Sequence, residues 1–117
     1  MEEQLRRTML FDFYGELLTA KQREYFDLHY NEDYSLSEIA EAEGISRQGV
    51  WDIIRRGEEA LKQKEAKIGL VERFIRTRTA AAELEKQVDE LIPLTEGRAR
   101  ELAESIGRGI RELQHGI

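Results

Sequence analysis

Arg47, Gln48, Trp51, Asp52 and Arg55 fall within nine residues of one another, three or four apart along one stretch of chain. If that stretch is helical they share one side of it, because residues three and four apart are surface neighbours. Guanidinium and carboxamide groups bind phosphate oxygens and base edges, and an indole stacks on a base or on an apolar partner surface. Arg56 extends the same contact set, and Ser46 stands just before it. The alternative is a solvated helix face with Trp51 folded back on its neighbour. No other group of residues carries chemistry this legible. His29 and His115 are the only histidines and lie far apart, so no metal site is expected. Glu2-Glu3 and Glu58-Glu59 are sequence neighbours that point in different directions on a helix, not a catalytic carboxylate pair. Gly107-Arg108-Gly109 lacks the strand-loop-helix setting of a phosphate loop. With no cysteine there is no thiolate chemistry, zinc-thiolate site or disulfide framework. The residues predict no enzyme and no cofactor.

The elements that must position the polar face read as a helix-turn-helix between Ser35 and Arg56. Ser35 with Glu38 forms a capping box that opens a helix carrying Leu36, Ile39 and Ala40 on one face. Ala40 is the small residue that lets a second helix cross closely. Gly44, four residues on, supplies the turn, where a left-handed backbone costs glycine nothing. Ser46 caps the second helix. Ile39, Ile45, Val50 and Ile53 are the branched apolar residues expected to lock both helices to a core. Upstream, Leu5, Met9, Phe13 and Leu17 recur at intervals of four, as one face of a first helix. Thr19 with Gln22 is a capping box for a second helix that buries Tyr25, Phe26 and Leu28 or Tyr30.

Beyond Ala66 the apolar register changes. Ile68, Val71, Phe74, Ile75, Leu84, Val88 and Leu91 predict one long helix ending before Pro93, since Ile92 is held away from helical geometry by the proline after it. Thr95 is expected to cap a last helix. Ala99, Ala103, Ile106, Ile110, Leu113 and Ile117 follow at 4-3-4-3-4 spacing, a heptad seam for packing along another helix. Gly107 and Gly109 interrupt it at roughly 1 kcal/mol each relative to alanine. The fold class expected is all-α. Residues 1–66 make a helix-turn-helix domain, and residues 67–117 a helical extension whose stripe is too long for one small bundle and implies a homodimer.

The chain has 117 residues, enough for a core without metals or disulfides, and its net charge is −6. Through Ala66 nine Lys/Arg oppose fifteen Asp/Glu, whereas from Lys67 onward nine oppose nine. The acidic excess thus lies in the half that carries the helix-turn-helix, which argues against a broad phosphate-binding surface. The polar start, MEEQLRRTML, is not a secretory signal, and no run is long and apolar enough to span a membrane. A cytoplasmic protein is expected.

Leu18-Thr19, Gln22-Arg23, Tyr30, Ser35, Glu38-Ile39-Ala40, Gly44-Ile45-Ser46, Val50, Arg56 and Ala60-Leu61 resemble the promoter-reading region 4 of bacterial sigma factors. From about Leu5 to Gln63 the chain more closely resembles the YlxM-type helix-turn-helix family. The resemblance lies in Phe11-x-Phe13-Tyr14-Gly15-x-Leu17-Leu18-Thr19 and in Ser46-Arg47-Gln48, Val50, Trp51, Asp52, Arg56 and Glu58. It implies a sigma-region-4-like bundle followed by a long helix and a C-terminal helix. It also implies a link to the signal recognition particle, as a regulator binding the particle's RNA, its protein, or both. Gly49 and Gly57 depart from the pattern, standing where helix formers are expected and weakening the second helix. Two function classes follow. One is a non-catalytic accessory of that targeting pathway. The other is a dimeric DNA-binding transcription regulator.

Overall fold

The computed structural model describes residues 2–115. Helix α1 runs Glu3–Tyr14, followed by one tight turn at Gly15–Leu17. Helix α2, Ala20–Phe26, passes into a wide π-helical turn at Asp27–Asn31. Helices α3, Leu36–Glu43, and α4, Arg47–Ile68, form the helix-turn-helix. Helix α5 is Leu70–Leu91, and after a turn at Ile92–Leu94 the last helix, α6, is Gly97–His115. Among the described residues there is no strand, so the all-α expectation holds. No helix among them is long and apolar enough to cross a membrane. The chain divides into two compact units, the first running through Val71 and the second starting at Glu72.

In the first unit α4 is the central element, and α1, α2 and α3 all pack on it. Its inward positions Val50, Ile54, Gly57, Leu61 and Glu65 recur every three or four residues, so one face of a 22-residue helix receives all three neighbours. Both capping boxes form as expected. The Thr19 hydroxyl accepts from the Gln22 N–H at 3.2 Å while the Gln22 side chain accepts from the Thr19 N–H at 3.1 Å. Ser35 and Glu38 do the same at 3.0 and 2.9 Å. The backbone bonds to Ser35 hold the Glu38 carboxyl below its ordinary pKa.

The α1 face differs from the expected one. Leu5, Phe13 and Leu17 are exposed, Leu17 by 60%, while Leu10 and Tyr14 are buried. The reason is polar. The inward face of α1 carries Arg7 and Tyr14, whose partners lie on α4. Arg7 Nε donates to Glu58 at 3.1 Å, and its guanidinium lies 4.3 Å over the Tyr30 ring. The Tyr14 hydroxyl donates to Glu65 at 2.6 Å, and burial followed by that carboxylate raises the Tyr14 pKa. The four-residue apolar rhythm could not register these pairings. Phe11 stacks on Phe26 at 5.0 Å between centroids, and Phe26 meets Tyr30 at 4.8 Å, which closes the aromatic layer under α2.

Helix α4 also runs further than the expected change of register near Ala66. It continues to Ile68, and Gly69, at φ +69°, ends it with its N–H on the Glu65 carbonyl at 2.8 Å. The long helix is therefore α5, begun only after that left-handed residue.

In the second unit α5 and α6 are antiparallel: Arg78, in the first half of α5, donates to the Gln114 carbonyl near the end of α6 at 2.6 Å, while Val88, further along α5, faces Gly107, earlier on α6. Ala81, Val88 and Ile110 are buried together, with Ile92 beside them. Thr95 does not cap α6. Its hydroxyl donates back to the Ile92 carbonyl at 2.9 Å, closing the proline turn, and α6 starts two residues later. The expected single seam on α6 splits in two. Ala103, Gly107 and Ile110 are buried, whereas Ala99, Ile106 and Leu113 are exposed. Ile117 lies outside the described residues.

Candidate nucleic-acid interface

The first turn of α4 is fixed by local chemistry. Gly44, at φ +70°, ends α3 with its N–H on the Ala40 carbonyl, and the Ile45 N–H reaches the same carbonyl at 3.2 Å. Ser46 is extended, and its hydroxyl accepts from the Gly49 N–H at 3.0 Å. Satisfying one of the orphan donors at the start of α4 in this way is worth about 1 kcal/mol. The corner therefore sets where Arg47 and Gln48 emerge.

Ile39, Ala40 and Val50 are buried, as the helix-turn-helix requires. Ile53 is half-buried. Ile45 departs from the expectation: it is 40% exposed. A side-chain carbon built on Gly49 would lie 3.8 Å from Ile45 Cδ1 and 3.2 Å from the Ser46 hydroxyl. Ile45 thus folds over the first turn of α4 from the outside instead of entering the core. What Gly49 leaves room for is the capping hydroxyl of Ser46; the Ile45 distance is ordinary van der Waals contact. Gly57 has a comparable explanation, since a side-chain carbon there would meet Gln22 Cβ at 3.3 Å where α2 crosses. Helix α4 stays helical through both glycines.

Arg47, Gln48, Arg55 and Arg56 are exposed, while Trp51 and Asp52 are half-buried. Three of the six come together: Arg47, Gln48 and Trp51 line a shallow groove of about 250 Å³ with Leu36, the first residue of α3. Helix α4 supplies Arg47, Gln48 and Trp51, and α3 adds the aliphatic Leu36. Leu36 had no signal of its own beyond being an apolar residue at a helix start. Asp52 turns to its neighbours, accepting from Gln48 at 3.2 Å and lying 4.0 Å from Arg55. Its carboxylate partly offsets Arg55, so the face offers less positive potential than its arginines suggest. Arg56 is not among the groove's lining residues.

A roomier groove, of about 520 Å³, is lined by Phe11, Ala20, Arg23, Glu24 and Asp27. Two carboxylates beside one guanidinium repel phosphate, so the smaller groove on α4 is the better candidate for a nucleic acid despite its size. His29, at the π-helical turn, places Nδ1 2.8 Å from the Tyr34 carbonyl and packs edge-on against Tyr30. Its role there is to hold the end of α2. Among the described residues no three His, Cys, Asp or Glu side chains gather as metal ligands would.

Comparison with known proteins gives the same picture. Residues 1–97 match the family model described as UPF0122, "Putative helix-turn-helix protein, YlxM / p13 like". A UPF0122 protein of Acetivibrio thermocellus is 46% identical over 91 residues, 78% of each chain. One from Thermoanaerobacter sp. is 42% identical over 106 residues, covering 83% of this chain and 91% of its own length. A third, from Geobacillus kaustophilus, is 51% identical over 78 residues, 67% of this chain and 71% of its own. With its capped Ala40–Gly44–Ser46 corner and this span of similarity, the chain belongs to the UPF0122, or YlxM/p13-like, helix-turn-helix family.

Proposed function

We propose that the protein is a non-catalytic accessory of the signal recognition particle pathway, acting in the cytoplasm. In this reading the α4 face presents Ser46, Arg47, Gln48, Trp51, Asp52, Arg55 and Arg56 to the particle's RNA, its protein, or both. The observation that carries it is the pairing of an exposed two-helix corner with an acidic domain. The groove of Arg47, Gln48, Trp51 and Leu36 suits a macromolecular surface with one apolar or stacking element. The acidic excess around it suits a basic protein partner or a short RNA contact, and opposes wide phosphate neutralisation. The sequence resemblance to YlxM-type proteins supplies the pathway. Residues 67–117 serve as the dimerisation extension.

The second reading is a dimeric DNA-binding transcription regulator resembling sigma-factor region 4. The firmly capped start of α4, with Arg47 and Gln48 in its first turn, favours it. Titration of the protein against duplex DNA, the particle's RNA and the particle's protein at two salt concentrations separates the two. The accessory reading expects feeble DNA binding and firm binding to the RNA or the protein. The regulator reading expects one duplex sequence to win, with affinity falling steeply in salt. Arg47→Ala and Arg55→Ala should each weaken the genuine contact, and for a nucleic acid each should lower the salt slope by about one phosphate. If neither change alters any binding curve, the α4 face is not the site.

A further inference from the structure

Gly109 has no reason to be glycine within its own chain. It lies in the interior of α6, where glycine is a poor helix former, and a side-chain carbon built there would meet nothing within 4 Å among the described residues. Gly107, two residues earlier, is different: its added carbon would stand 3.2 Å from Val88 on α5, so close helix packing accounts for it. Gly109 belongs to the other side of α6. There Ala99, Leu102, Ile106, Gly109 and Leu113 follow one another at 3-4-3-4 spacing and are all exposed, Ile106 by 53% and Leu113 by 63%. This is a second complete heptad stripe beside the one that packs on α5.

The partner helix extends the stripe. At about 100° per residue, Leu84 and Leu91 lie roughly 80° to one side of the α5 positions that face α6, and the open α6 stripe lies roughly 90° to the same-handed side of its own packed positions. In an antiparallel pair, equal-handed offsets fall on the same side. Leu84, Leu91, Leu102, Ile106 and Leu113, each 45–63% exposed, therefore form one apolar face on this helical hairpin. Among the described residues of this unit, the buried apolar side chains, Ala81, Val88, Ala103 and Ile110, together amount to less than those on that face.

We propose that a second copy of this chain covers the face, with α6 antiparallel to α6 of the other copy about a two-fold axis near Ser105. The inference rests on the reading of the extension as a dimerisation element and names its face and register. Antiparallel heptad pairing then packs Leu102 on Ile106 of the second copy, twice, at the centre. It sets Ala99 against Gly109 in the layers on either side, where two small residues let the backbones approach. The flanking position before Ala99 is Arg98, and the one it meets is Glu112, so opposite charges face each other twice across the axis. Arg98 pairs with Glu101 at 3.2 Å in an exposed arrangement that is readily exchanged. A parallel arrangement would set Gly109 against Gly109 and keep Arg98 apart from Glu112. The isologous antiparallel arrangement satisfies the small and charged positions and the central Leu102–Ile106 layers together.

The test is analytical ultracentrifugation of the full chain across a concentration series, with helicity followed by circular dichroism. The chain should sediment at twice its 13.6 kDa. Gly109→Leu and Ile106→Glu should each weaken the dimer at least tenfold with helicity retained, since neither side chain is needed inside the monomer. The chain has no cysteine, so register can be read by oxidation. Ala99→Cys combined with Gly109→Cys should cross-link two copies. Within one helix those positions are roughly 15 Å apart, out of disulfide reach. Ala99→Cys alone should not cross-link. A chain that stays monomeric overturns both the register and the dimerisation reading. A dimer undiminished in Gly109→Leu and Ile106→Glu, or cross-linked by Ala99→Cys alone, overturns the register while the dimerisation reading survives.

Discussion

The two units use their apolar residues in opposite ways. The largest fully buried side chains, Leu10, Tyr14, Tyr25, Phe26, Ile39, Val50, Ile54, Leu61 and Val71, all lie in the first unit. The second buries Ala81, Val88, Ala103 and Ile110, two of them alanines, and leaves its leucines outside. Both halves are helical and both show periodic apolar stripes, so periodicity alone does not distinguish a closed core from an open one. The difference lies in the number of neighbours. Helix α4 is covered by three helices, whereas α5 and α6 each have one packing partner in their own unit.

Substitutions can break or sharpen this contrast. Phe26→Ala should cost about 3–5 kcal/mol, because the ring is fully buried between Phe11 and Tyr30. Ile110→Ala should fall at the low end of the about 2–5 kcal/mol range for such truncations, since it is clustered with Ala81 and Val88, both smaller than itself. Urea unfolding followed by circular dichroism compares them, and equal losses would mean that the second unit is as closed as the first. Tyr14→Phe should cost about 1–3 kcal/mol in the same assay, because Glu65 loses a buried donor and the Leu70 N–H loses its acceptor. Ser46→Ala should cost about 1 kcal/mol and shift the start of α4, with hydrogen exchange at Gly49 as the local readout.

The smallest effect concerns acid. The Glu38 carboxyl titrates below its ordinary 4.5 because the Ser35 backbone N–H favours the charged form. Its support for α3 is present above that ordinary value and is lost as pH falls through the lower folded value. Glu38→Gln keeps a hydrogen-bonding side chain at the position and should flatten the acid limb of the stability profile, leaving the second unit's profile unchanged. A profile identical to that of the parent chain would show that this carboxyl contributes nothing.

The parts legible in the sequence were those governed by neighbouring residues. The capping boxes at Thr19 and Ser35, the Gly44 corner and the Ser46 cap are each written within four residues, and the structure has them all. What the sequence could not convey depends on partners about fifty residues away. The inward face of α1 follows from Arg7 meeting Glu58 and Tyr14 meeting Glu65, each 51 residues distant. Apolar rhythm continues across Gly69 while the backbone does not, so Ile68 belongs to α4 and the long helix begins at Leu70. The apolar type of Ile45 points to the core, although the turn carries it to the outside. In the groove, Arg47, Gln48 and Trp51 were visible as one helix face, but Leu36 joins them only through the crossing of α3 and α4.

The bonds around Glu65 also determine where the polypeptide can be divided. Its carboxylate, 6% exposed, accepts from the Val71 N–H at 3.0 Å, and the Tyr14 hydroxyl accepts from the Leu70 N–H at 3.1 Å. A fragment ending at Ala66 would keep the acid and discard the Val71 amide that donates to it and the Leu70 amide that donates to Tyr14. A fragment ending a few residues past Val71 would carry its own seal.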